Sequence, residues 1–417
     1  MEEILSPTEQ EGFTLLQYGH RDMAEAVSFN YYGDRFASSS VDGKIKVYNR
    51  HKDGTWNLSD TWGAHTAQIL EIHWLPPSIH PNLLASIGTD GKFKLWVEDA
   101  TIAPGKGRRF NQHNNTPVWE LRSPPRAPFL SFSIKHNCET RHTYLALIKR
   151  NAELTIYEND RPENLDSWTE IDSVKVCEKP VRGEETTFKV GFDPNLSPCY
   201  NAIHMGVSKD ALGLIVASME RVTIWRTKEV AHNVSLGSST SKELYMAIEL
   251  KGHRGLIRDV AWAPGNPRGY DIVATACKDG FVRVFQITTP TMDGRQLTSK
   301  DYARPIELGV APASRSSGNG ARNPSGIGSG LAGARTSMGN RQESDGKMGE
   351  VVHAAKEVSK LDANRNPVWR VDFDEDGQLL GSTGDDGKLM LYRREPNGVW
   401  SRSAELALIR GPMNGRE

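Results

Sequence analysis

Apolar and polar residues alternate with period two along most of this chain, in short runs separated by turn signals. The clearest runs are residues 41–48, 89–96, 151–157, 219–225, 278–285 and 385–392, each of which closes on an aromatic. Strict alternation buries one face of a strand. Asp-Gly opens four of these runs, at Asp42-Gly43, Asp90-Gly91, Asp279-Gly280 and Asp386-Gly387. It supplies the positive φ of a two-residue hairpin turn, and Asn151-Ala152 is expected to do the same. Each run is read as the third strand of a repeated unit. First strands are predicted within 26–29, 70–74, 260–262 and 368–373. Outer, fourth strands are predicted at 56–62, 117–121, 168–176, 245–250, 350–358 and 399–408. The first two units repeat at about 48 residues. Four short strands per unit at that period predict an all-β chain folded as a six-bladed β-propeller.

Six such blades leave the apolar stretch 13–18 over. It is expected to be one strand of an incomplete seventh blade, so that the ring is open. A closed ring with 13–18 as an arm is the alternative. An open seam exposes backbone edges and apolar faces, and a partner donating about three strands would close it by strand addition. Phe13, Leu15 and Tyr18 on the lone strand, with Val27 and Phe29 on the neighbouring inner strand, are the predicted seam contacts. Main-chain hydrogen bonds would contribute about 0.5–1.5 kcal/mol each. The expected organisation is an N-terminal tail over 1–12, the lone strand and blades one to five over 13–289, an insertion over 290–348, the outer strand of blade five with blade six over 349–409, and a C-terminal tail over 410–417.

Composition narrows the function. Lys+Arg is 51 and Asp+Glu is 52 in 417 residues, a net charge of −1, which argues against direct nucleic-acid binding. No apolar run approaches the roughly 20 residues of a membrane helix, so insertion into a membrane is not expected. The opening Met1-Glu2-Glu3-Ile4 lacks the layout of a signal peptide. Cys138, Cys177, Cys199 and Cys277 are scattered, fitting neither a zinc site nor a disulfide framework, and a reducing compartment is expected. Residues 311–347 are rich in Gly, Ser, Asn and Arg and carry a charge of 5 − 2 = +3. Such a segment cannot bury enough apolar surface to order, so it is read as a solvated loop, with RNA contact or phosphorylation as the sharper alternative.

No cofactor, metal site or catalytic centre is expected. Gly326-Ile327-Gly328-Ser329-Gly330 has no strand before it or helix after it, and residues 104–109 lack the full phosphate-loop pattern. His73 and His204 are read as lone strand histidines without convergent ligands. The ten tryptophans are mainly blade packing, with some outer ones as candidate interface anchors.

Gly19-His20, Gly63-Ala64-His65 and Gly252-His253 precede first strands in the manner of the WD-repeat family, which the chain resembles. That resemblance implies a buried tetrad of histidine, second-strand Ser/Thr, turn aspartate and third-strand Trp. The matching sets are His65, Ser86, Asp90 and Trp96; His253, Thr275 and Asp279, with Phe285 in the Trp place; and His20, Ser38 and Asp42, with Tyr48 in that place. Asn364 stands where the sixth histidine should be, and units three and four lack the set. The Ser86, His65 and Asp90 set also matches a hydrolase triad superficially, but a nucleophile needs exposure beside an oxyanion hole.

Residues 19–22, 29–33, 164–168, 256–264 and 368–371 resemble, more narrowly, the Sec-thirteen/Seh-one group of small propellers, on its nucleoporin side. The group implies an open propeller completed by a blade from an α-solenoid nucleoporin. It also implies contacts with other subunits of the Y-shaped scaffold of the nuclear pore, at the nuclear envelope, and membership of a nutrient-signalling complex at the vacuolar or lysosomal surface. A vesicle-coat propeller and a closed, peptide-reading adaptor are the rival readings.

Overall fold

The computed structural model describes residues 19–76, 82–104, 109–110, 116–234, 237–265, 269–290, 350–363 and 366–407. The 13–18 stretch, with Phe13, Leu15 and Tyr18, lies outside them, as do Asn364 and the Gly/Ser-rich 311–347 segment. Among the described residues twenty-four strands form six antiparallel four-stranded sheets, and consecutive strands are neighbours in every sheet. Blade one is β1 (Ala24–Phe29), β2 (Arg35–Ser40), β3 (Lys44–Arg50) and β4 (Trp56–Gly63). Blade two is β5 (Ile69–Trp74), β6 (Leu83–Gly88), β7 (Lys92–Val97) and β8 (Trp119–Arg122). Blade three is β9 (Phe129–His136), β10 (Thr143–Lys149), β11 (Glu153–Asn159) and β12 (Thr169–Lys175). Blade four is β13 (Phe188–Phe192), β14 (Gly213–Ser218), β15 (Arg221–Val234) and β16 (Gly237–Leu250). Blade five is β17 (Ile257–Trp262), β18 (Asp271–Cys277), β19 (Phe281–Thr288) and β20 (Ala354–Asp362). Blade six is β21 (Val368–Phe373), β22 (Leu379–Gly384), β23 (Lys388–Arg394) and β24 (Trp400–Ala407).

The hairpin between second and third strands differs from the predicted two-residue turn. In blades one, two, five and six the loop has three residues. The glycine amide closes a turn on the last strand residue, as Gly43 does on the Ser40 carbonyl at 3.1 Å. Gly43, Gly91, Gly280 and Gly387 all sit at positive φ, between 66° and 85°. The preceding aspartate fixes the loop by accepting the backbone N–H two residues on: Asp42 from Lys44 at 3.0 Å and Asp90 from Lys92 at 3.2 Å. A type I turn followed by one left-handed residue explains both the Asp and the Gly. In blade three Ala152, not Asn151, takes the left-handed place, at φ 65°. Only blade four has a two-residue loop, Met219-Glu220.

Three further expectations are corrected. The outer strand of blade five begins at Ala354, not 350. His353 is held beforehand by Thr289 (2.8 Å) and by the buried Arg226 (2.7 Å), and its amide donates to the Ala247 carbonyl, so 350–353 bridges to blade four instead of pairing with β19. The third and outer strands of blade four run on to a hairpin pairing Val234 with Gly237, well beyond the predicted 225 and 245. His204 lies in the short helix α1 (Tyr200–His204), not in a strand.

Side chains alternate between the two faces of each blade, and the core forms where blades stack. Ala37, Ile45, Val47 and Trp62 of blade one pack on Ile72, Leu84 and Trp96 of blade two. Four further clusters join blades two to three, three to four, four to five and five to six. Side chains also catch backbone amides across these junctions. Ser28 Oγ accepts from Trp74 N (3.1 Å), Glu71 from Phe132 N (3.0 Å), Ser133 Oγ from Phe192 N (3.0 Å), and Asp259 from Val371 N (3.1 Å).

Candidate functional site: an unpacked seam between the sixth and first blades

No hydrophobic cluster joins blade six to blade one among the described residues. Strand register makes the comparison sharp. Val27 pairs with Ser38, as Ile72 pairs with Ser86, Val190 with Val216 and Val371 with Ser382. These four residues hold one register position and face the preceding blade. Val27 is 55% exposed, against 2%, 6% and 4% for the other three. Phe29 is 56% exposed, whereas Phe192 and Trp262 at its register position are 7% and 6%. An inner-strand position is buried only when another blade stacks on it, and among the described residues no blade stacks on the Val27 face of β1.

The opposite wall repeats the pattern. Leu389 and Leu391 of β23 correspond to Ile45 and Val47 of β3, which face the following blade. Ile45 and Val47, and their counterparts Phe93, Leu95, Val282 and Val284, are at most 1% exposed. Leu389 and Leu391 are both partly exposed, and Leu406 of β24 is exposed. On the blade-one side Phe29 caps an aromatic stack: Phe36 at 5.4 Å and Trp56 at 5.9 Å from Phe29, with Tyr48 stacked 4.7 Å beyond Phe36. Val27 and Phe29, named from sequence as seam contacts, both lie exposed on β1. Leu389, Leu391 and Trp56 were not singled out from sequence, although writing the last repeat in register with the others would have found the two leucines.

The central channel is a cavity of about 690 Å³ lined by the inner strands, and at blade six it extends outward to Gly381, Ser382, Thr383 and Leu389. It opens sideways into the seam. Its ionisable groups are Glu25, Glu71, His73, Lys189, Asp259, Arg370 and Asp372. Glu71 and Lys189 are ion-paired. Burial alone would raise the Glu71 carboxyl, but Lys189, His73 and Arg370 together hold it below the usual range. Burial pushes Asp259 up, opposed by Lys189 and Arg370. Asp372 is raised to about 6, first because the surrounding strands desolvate it and then because Asp259 lies near. His73 is lowered by the same confinement, against the pull of Glu71. Among the described residues no group of three or more His, Cys, Asp or Glu is placed to hold a metal ion.

A WD40 family model, the WD domain, G-beta repeat, matches residues 12–49, 245–286 and 355–393. The chain is similar to Nucleoporin SEH1 of Chaetomium thermophilum, with 40% identity over 96% of this chain and 95% of that protein. The chain belongs to the Nucleoporin SEH1 family. It is also similar to Nucleoporin SEH1 of Saccharomyces cerevisiae, at 28% identity over 90% of this chain and 93% of that one, and of Homo sapiens, at 22% over 95% and 88%. SEH1 proteins are structural nucleoporins, non-enzymatic WD-repeat propellers of the nuclear pore complex.

Within this SEH1 fold the expected tetrads take different forms. Blade two has all four members: Asp90 to His65 Nδ1 (3.0 Å), His65 Nε2 to Ser86 Oγ (2.9 Å), and Trp96 Nε1 donating to Ser86 Oγ (3.0 Å). Burial works against the Asp90 charge, but His65 and the amides of Thr66 and Lys92 outweigh it and hold the carboxyl at about 2. Ser86 is wholly buried and bonded on both sides, so it is no nucleophile. In blade five His253 reaches Thr275 at 2.9 Å, but Asp279 forms no bond to it. Arg283, four residues on, takes both oxygens of Asp279 (3.1 and 2.6 Å). In blade one His20 meets Ser38 at 2.8 Å while Asp42 only closes its own turn. His20 Nδ1 and His253 Nδ1 are buried without a partner. Blade four places Trp225 Nε1 on Thr223 Oγ1 of its own strand, at 2.9 Å.

Proposed function

We propose that this SEH1-family scaffold works by incompleteness: the seam between β21 and β1 receives a blade of about three strands from an α-solenoid nucleoporin, and this anchors the chain in the Y-shaped scaffold of the nuclear pore. The observation that carries the reading is the exposure of Val27 and Phe29, at register positions where the other blades hold their side chains buried or partly buried. The repeat register supports it. The 245–286 match begins on an outer strand, β16, and ends on a third strand, β19. In the 12–49 match, residues 13–18 fall in that outer-strand register. Blade six already has its own outer strand in β24. Residues 13–18, with Phe13, Leu15 and Tyr18, would then be the outer strand of a seventh blade that lacks three. Strand addition would satisfy the exposed inner edges and cover the apolar walls at once. An interface of that kind is expected to exceed roughly 2,000 Å².

The test is co-expression of the full-length chain with the α-solenoid nucleoporin of the same proteome. The expected result is a one-to-one complex that melts higher than the free chain and is lost in Phe29→Glu. A Phe29→Glu chain that still forms the complex overturns the seam reading.

A further inference from the structure

Three aspartates on separate strands share one local arrangement. Asp60, Asp172 and Asp259 each accept the backbone N–H of the next residue on Oδ1, at 3.0, 2.8 and 3.0 Å. Each then uses Oδ2 to take a backbone N–H from the following blade. Asp60 takes Phe110 N at 3.2 Å, Asp172 takes Leu244 N at 2.6 Å, and Asp259 takes Val371 N at 3.1 Å. The first contact clamps the carboxylate, and the second stitches two sheets through the main chain.

Asp372 has the first half of this arrangement. Its Oδ1 accepts Phe373 N at 2.9 Å, and no partner for its Oδ2 is present among the described residues. It sits on β21, on the wall of the seam, in the register position of Ser28 and Ser133. Both of those hydroxyls accept a backbone N–H from the following blade, Ser28 from Trp74 and Ser133 from Phe192. Two separate patterns therefore give Asp372 the same task, and blade six has no following blade of its own.

We infer that Asp372 is the docking acceptor for the incoming blade, its Oδ2 taking one main-chain N–H from the donated innermost strand one register position beyond its own, as Ser28 takes Trp74. The inference rests on the seam reading above and adds a residue to it. The contact reads no side chain, so it fixes the register of the donated strand without specifying its sequence. An incoming N–H would lower the raised Asp372 carboxyl, since a carboxylate that accepts a second amide is better stabilised in its charged form. On the outer strand of blade six the position of Asp60 and Asp172 is Ala404, which cannot accept. The grip is thus confined to the inner edge.

The test uses the full-length chain and the α-solenoid nucleoporin that co-purifies with it, both made recombinantly. Affinity is measured for Asp372→Ala, Asp372→Ser and Asp372→Asn. Loss of a charge-assisted hydrogen bond predicts about ten- to a hundredfold weaker binding for Asp372→Ala. Asp372→Ser recovers most of it, because serine does this work at positions 28 and 133. Asp372→Asn does not, because its amide nitrogen presents a donor to one of the two N–H groups. Hydrogen exchange of a single amide on the donated inner strand speeds up in Asp372→Ala and slows again in Asp372→Ser. The melting temperature of the free chain stays at the wild-type value in all three. Binding of Asp372→Ala within about twofold of wild type, with Phe29→Glu still abolishing it, overturns this inference alone. Wild-type binding by both Asp372→Ala and Phe29→Glu overturns the seam reading beneath it.

Discussion

Truncating Phe29 in the free chain costs far less than truncating Phe192, although the two residues hold the same register position. Phe192 is 7% exposed and packs in the cluster between blades three and four. Phe192→Ala removes a whole buried ring and leaves a cavity, which costs about 3–5 kcal/mol. Phe29 is 56% exposed and packs its ring against Phe36 and Trp56. Full burial of a phenylalanine is worth about 1.5–3 kcal/mol. With less than half of the ring covered, Phe29→Ala should cost about 1 kcal/mol. Urea unfolding of the free, full-length chain, followed by tryptophan fluorescence, measures both. Saturating the chain with its partner should then raise the cost of Phe29→Ala towards that of Phe192→Ala. Equal costs in the free chain would show that β1 is already covered by this polypeptide, and the reasoning from register would fail.

Ser86→Ala strands the buried His65 Nε2 and Trp96 Nε1, each at about 1–3 kcal/mol, so urea unfolding should show a loss of about 2–6 kcal/mol. Asp42→Ala, which opens only a turn contact and a loose pair with Lys44, should cost under about 1 kcal/mol in the same assay. The Asp90 carboxyl is held at about 2 against an ordinary 3.8, so its stabilisation is full above pH 4 and fades as pH falls towards 2. The effect is about 2 kcal/mol, and Asp90→Asn should flatten that part of an acid titration monitored by circular dichroism. Gly43→Ala drives a Cβ into the His65 carbonyl of blade two and should lower the melting temperature strongly. Gly387→Ala, at the same turn of blade six, has nothing within 4 Å and should cost only the left-handed penalty, about 1–2 kcal/mol.

The repeat was legible because its local chemistry is strong. Asp-Gly loops, alternating third strands and closing aromatics each follow from backbone sterics and one-sided burial, and they set the number of blades. The turn length was misjudged because Asp-Gly serves both two-residue loops and the three-residue loop with one left-handed glycine. The long hairpin of blade four was invisible because Lys228, Glu229, Ser239, Thr240 and Ser241 carry little alternation. The start of β20 was missed because Val351 and Val352 look strand-like, while the contacts that divert them, His353 with Arg226 and Thr289, lie far apart in sequence. The tetrad aspartates show a similar limit. Asp279 matches the motif, but Arg283 competes for it at closer range, which no spacing rule reveals. Val27 and Phe29 were named from sequence through the strand left over, and their exposure is what the seam proposal rests on. The blade-six wall and Asp372 needed three-dimensional register.

The most direct measurement is a structure of the full-length chain bound to its α-solenoid nucleoporin. The account predicts three partner strands between β21 and β1, with Val27, Phe29, Leu389 and Leu391 covered, Asp372 on a partner amide and residues 13–18 pairing along the outer edge. β21 stacked directly on β1, with the partner held elsewhere on the propeller, would contradict it.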